Sequence, residues 1–166
     1  MRLGLPEWTV LAVTGERPVH GFAVAALTAP DGELGRVWQV PRPLVYRAIG
    51  RLEEAELVTA DSVEAAGGPP RTLYAITDLG RRQVGGWLNA PVPHIRDLRS
   101  EFLLKLAIHH RQGSDPADLI AAQRRTLVPI VDALAEEHAG ADAFDRVLIG
   151  WRRASAQAAL AFLDEL

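Results

Sequence analysis

Within PRPLVYRAIGRLEEAELV, residues 41–58, Arg47 and Arg51 stand four apart beside Tyr46 and Gly50. A guanidinium donates two parallel hydrogen bonds to a phosphate or to the acceptor edge of guanine. A tyrosine hydroxyl donates to phosphate, and its ring packs against a thymine methyl. Glycine lets the backbone come close where a side chain would hold a partner off. Arg42 and Pro43 open the same segment, and Arg71 comes directly after the turn GGPP. Arg42, Pro43, Tyr46, Arg47, Gly50, Arg51 and Arg71 together offer the contacts that hold duplex DNA. That is recognition, not bond making.

The chain's other reactive side chains make a weaker case. His109-His110 and His138 with Glu136 and Glu137 suggest a metal site. Adjacent histidines, however, point about 100° apart on a helix, and HExxH does not occur. GGPP lacks the Lys-Ser/Thr that completes a phosphate-cradling loop. Cysteine is absent, so disulfides and thiolate sites are excluded. The expectation is a chain that is not an enzyme and that needs no cofactor and no metal.

The elements that must position the arginines can be read from periodicity. Leu5 to Val13 predicts a first helix, with Trp8, Leu11 and Ala12 at helical spacing. GERPVHG breaks it, and His20 to Thr28 predicts a second helix carrying Phe22, Ala25, Ala26 and Leu27. Pro41 and Pro43 punctuate the start of a third, where proline costs no hydrogen bond. On it Val45, Ala48, Ile49 and Leu52 form one stripe, with Tyr46, Arg47, Gly50, Arg51 and Glu54 opposite. Leu57–Val63 and Thr72–Ile76 then alternate as strands around the tip EAAGGPPR. Thr77 or Asp78 is placed to cap a fourth helix, Leu79–Leu88. NAPVP, residues 89–93, reads as a linker. Beyond it the pattern is helical: Asp97–His110, a helix opened by Pro116 and bent at Pro129, and a last helix from about Ala143 to Leu166.

Helix, helix, helix, strand, wing, strand is the order of a winged helix-turn-helix, whose third helix enters the major groove. The predicted fold class is therefore mainly α with a small β-hairpin: a winged domain over 1–90 and a helical C-terminal domain over 91–166.

Composition sets the outer bounds. With 166 residues, 48% hydrophobic and 23% charged, the chain can bury a core. No apolar run approaches the roughly 20 residues that span a bilayer, which predicts a soluble, cytoplasmic protein without a membrane partner. The net charge of −3 argues against nucleic acid, so a winged helix used only for protein contacts stays open as the alternative. Local field outweighs the sum at a binding face, and all but one of the basic side chains, Lys105, are arginine.

LVYRAIGRLEEAELV with GPPRTLYAITDLGRR after it resembles the PadR family of bacterial transcriptional regulators. The shared pieces are a Tyr-containing helix leading to Leu-Val, a Gly-Pro-Pro-Arg wing (Gly68 to Arg71), Tyr74, and Thr77 with Gly80. LRSEFLLKLAIHH and LIGWRRASAQAALAFLDEL resemble the helical C-terminal part of its longer members. The resemblance implies a homodimer on a palindromic DNA operator. Leu148, Trp151, Ser155, Ala159 and Phe162 are the candidate seam residues, an intramolecular core being their alternative role. It also implies a repressor relieved by a small aromatic or amphipathic effector, for which Trp87, Arg96, Arg99, Phe102 and Trp151 offer an aromatic wall with arginines. One departure stands out: Glu56 occupies a position where the family usually has glycine.

Overall fold

A computed structural model describes residues 2–64 and 70–166. Helices α1 (Leu5–Glu16), α2 (Gly21–Leu27) and α3 (Arg42–Glu54) come first, with a two-residue strand β1 (Val19–His20) between α1 and α2. Strands β2 (Val58–Glu64) and β3 (Arg71–Ile76) and helix α4 (Asp78–Asn89) come next. The remainder is α5 (Ile95–Asp97), a π turn over Leu98–Phe102, α6 (Leu103–Gln112), α7 (Ala117–Gly140) and α8 (Ala143–Asp164). Two compact units result. One runs to Leu88 and takes in Leu103–Ser114; the other comprises Asn89–Phe102 and Asp115–Leu166.

The first unit is built on α1, whose Val10 to Thr14 are all buried. Val45, Ala48, Ile49 and Leu52 of α3 are buried as their spacing predicts, and α3 packs on α1 and α2. Leu104 and Ile108 of α6 complete the same apolar cluster. Trp8 and Trp87 stack in parallel, ring centres 5.2 Å apart, with the buried Lys105 ammonium 4.9 Å from the Trp87 ring centre. Arg111 joins α6 to α1, donating from Nε and Nη2 to the Glu16 carboxylate at 3.0 and 2.7 Å, while Nη1 pairs with Glu33.

The sheet order is β1-β3-β2, antiparallel throughout, and the ladder slips between Ala60 and Ser62. The wing tip, residues 65–69 with Gly68 among them, lies outside the described residues. Thr77 caps α4: its hydroxyl accepts from the Gly80 N–H at 3.1 Å and donates to the Glu56 carbonyl at 2.8 Å. Gly80 is needed there, because a Cβ would sit 2.2 Å from the Leu57 carbonyl oxygen.

Glu56 has φ 58°, the left-handed conformation that favours glycine. It closes α3 in a Schellman turn: the Leu57 N–H donates to the Leu52 carbonyl and the Glu56 N–H to that of Glu53, both at 2.9 Å. The familiar helix end is kept, at the cost of a strained glutamate.

In the second unit α7 and α8 pack together. Ile149, Ala156 and Leu163, seven residues apart, are the buried positions of α8, and Leu119, Gln123 and Leu127 those of α7. The NAPVP stretch is pinned: buried Gln123 accepts from the Val92 N–H at 2.7 Å and donates to the Val92 carbonyl at 3.0 Å. Pro129 lies inside α7, which runs on as one element.

Candidate nucleic-acid interface

The outward face of α3 begins where Pro41 sets the cap and Arg42 and Pro43 form the first turn. Arg42, Pro43, Tyr46 and Arg47 are exposed, and Gly50 is half-buried with open space where a Cβ would stand. Glu53, Glu54 and Glu56 lie towards the far end of the helix, with Glu53 and Glu54 exposed. Tyr46, 45% exposed, rests on Gly21, where a Cβ would come within 2.9 Å of its ring. The sequence thus sets glycine at the start of α2 to let the α3 tyrosine lie down.

Arg51 differs from Arg47. Its guanidinium pairs with Glu7, whose carboxylate is buried and also accepts from the Gly4 N–H at 2.9 Å. Arg47 faces outward unpaired among the described residues, whereas Arg51, its side chain still 41% exposed, braces α3 against α1. A buried carboxylate without that partner would be costly, which explains why the guanidinium turns toward it.

Arg71 comes to this face from β3. A cleft of about 370 Å³ is lined by Phe22, Arg42, Tyr46, Arg71, Thr72 and Tyr74, among others. Burial first, then Glu53 and Tyr46, push the Tyr74 phenol above its ordinary value, so it keeps its proton and remains a donor. His20, the N-cap of α2, accepts from the Ala23 N–H at Nδ1, 3.0 Å away. The residue that sequence reasoning did not single out for this face is Phe22. It is 45% exposed, while Gly21 and Val24 of α2 face the core. Arg42 and Arg71 both lie over its ring, at 5.4 and 5.0 Å from the centre.

Three of the five residues expected to form an effector site share one groove. Arg96, Arg99 and Trp151 line one groove of about 450 Å³ in the second unit, together with Leu98, Ser155 and Ala159. Phe102 is wholly buried, and Trp87 of the first unit is buried against Trp8. Among the seam candidates Leu148, Trp151 and Phe162 are exposed, Trp151 at 73%, and Ser155 and Ala159 are half-buried. The buried stripe of α8 is a different set.

Three helices, with the third presenting its face beside a hairpin, define a winged helix-turn-helix domain. Residues 10–85 match the transcriptional regulator PadR-like family. A Mycobacterium tuberculosis protein named "Probable transcriptional regulator Rv1176c" is 30% identical over 101 residues, 61% of this chain. The match spans 52% of that relative, about half its length. Bacillus subtilis PadR, in a crystal structure with operator DNA, is similar in fold along 99% of this chain and 98% of its own, with a TM-score of 0.52 and 16% identity. Among the described residues no helix is long and apolar enough to cross a membrane.

Proposed function

We propose that this chain is a sequence-specific DNA-binding transcriptional regulator that works as a homodimer. The observation that carries the reading is the open Arg42–Tyr46–Arg47 face of α3, flanked by Arg71, within a PadR-like winged domain. In this reading α3 lies in the major groove, Arg47 reaches bases or flanking phosphates, and the hairpin tracks the backbone. The net charge of −3 does not oppose it, because Glu53, Glu54 and Glu56 sit at the end of α3 away from Arg42.

Dimerisation through α8 is supported by the apolar ridge of Leu148, Trp151 and Phe162, which the second unit leaves uncovered. Two copies related by a two-fold axis would present two recognition helices to a palindromic operator. Repression relieved by a small aromatic acid is the finer part of the proposal. Arg96, Arg99 and Trp151 supply the arginines and aromatic surface for such a ligand. Trp151, Ser155 and Ala159 belong to both the groove and the seam, so occupancy there would bear on how the subunits pair.

Footprinting on the DNA flanking the chain's own coding region, with and without aromatic acids, tests the whole proposal. Protection that fades steeply as salt rises is the expected result, by counterion release. Interaction indifferent to salt, or absent, favours a winged module that binds protein instead.

A further inference from the structure

Phe22 is an aromatic side chain that the core does not use, and it carries two cations. Arg42 is the first residue of α3 and Arg71 the first of β3, so the two guanidiniums reach one ring from separate elements. Arg42 also lies 5.7 Å from the centre of the Tyr46 ring. Neither arginine is paired with a carboxylate among the described residues. Two like charges gathered on one exposed ring repel each other, and the ring's negative face only partly compensates. The arrangement becomes favourable when an anion fits between them. Tyr46, Thr72 and Tyr74 line the same cleft with hydroxyls that can donate to it.

We propose that Phe22 is a positioning residue that aims Arg42 and Arg71 at a single backbone phosphate of duplex DNA, tying the recognition helix and the wing strand to one point. The proposal rests on the DNA-binding reading above and specifies how that face is organised. Phosphate suits the site because guanidinium forks match its oxygens bidentately. Phe22 itself reads no base. Its ring fixes where two flexible side chains stand before the duplex arrives, which reduces the entropy lost on binding.

The test measures binding of the full chain to a mixed-sequence duplex by fluorescence anisotropy across a salt series. Phe22→Leu keeps an apolar side chain but removes the ring; it should weaken binding roughly five- to tenfold, as two exposed cation–π contacts would suggest. It should also flatten the plot of log affinity against log salt by about one phosphate contact, as should Arg42→Gln or Arg71→Gln. Phe22→Tyr should restore both affinity and slope. Arg42→Gln with Arg71→Gln should lose less than the product of the single losses, since both grip one phosphate. Phe22→Leu binding with wild-type affinity and slope, or losses that simply multiply, would overturn the assignment while leaving DNA binding intact. A wild-type chain with no salt-dependent duplex binding would remove the functional reading and this inference together.

Discussion

The two units bury their apolar surface in opposite ways. In the first, α1 is enclosed by α3, β3 and α6, and Leu11, Val45, Leu52 and Ile108 show almost no surface. In the second, two long helices cover only one stripe of each other, and Phe144, Val147 and Trp151 stand largely exposed. A helix pair has two sides and can bury only one without a third layer. The first unit thus encloses its core, while the second leaves an apolar ridge exposed.

That contrast can be broken at several points. Leu11→Ala should cost about 2–5 kcal/mol of stability, from lost transfer energy and the cavity left behind. Urea unfolding would show it independently of protein concentration; a loss below about 1 kcal/mol would mean the first core is looser than described. Trp151→Glu should weaken self-association by at least about 2 kcal/mol, the scale of an interface hot spot. If the proposed dimer forms through α8, sedimentation should give a smaller mass for the variant than for the wild type, and an unchanged mass would detach Trp151 from any seam.

Smaller effects sharpen the picture within the first unit. Arg47→Ala should reduce DNA affinity by about 1–3 kcal/mol with no change in melting temperature. Arg51→Ala should instead destabilise the fold, because it strands the Glu7 carboxylate. Anisotropy and thermal melts of the two variants separate these roles, and identical profiles would erase the distinction. Glu56→Gly should stabilise by about 1 kcal/mol by removing the left-handed penalty, read from the urea midpoint.

Helix α3 was legible in the sequence because thirteen residues give over three turns, enough for Val45, Ala48, Ile49 and Leu52 to declare one stripe. The strain at Glu56 was legible as well, since a glutamate stood where a helix end asks for glycine. Seven-residue α2 was not: with under two turns the phase is undetermined, and nothing in the spacing marks Phe22 as exposed. The π turn over Leu98–Phe102 defeats extrapolation differently. It adds a residue to the turn and rotates the helix after it, so that Leu104, Lys105 and Ile108 are the buried positions of α6. Strand β1, two residues long, is too short for any alternation to show. For the arginines, residue type marked the face, but only geometry separated Arg47 from Arg51, because Glu7 lies 44 positions away in sequence.

The backbone leaves the first unit after Leu88 and returns to it at Leu103. A fragment ending near residue 90 would therefore carry α1 to α4 and the hairpin strands yet lack Leu104 and Ile108, leaving an open socket beside α1. The winged portion is consequently not a detachable cassette. Grafting it onto another protein would require the downstream α6 to travel with it.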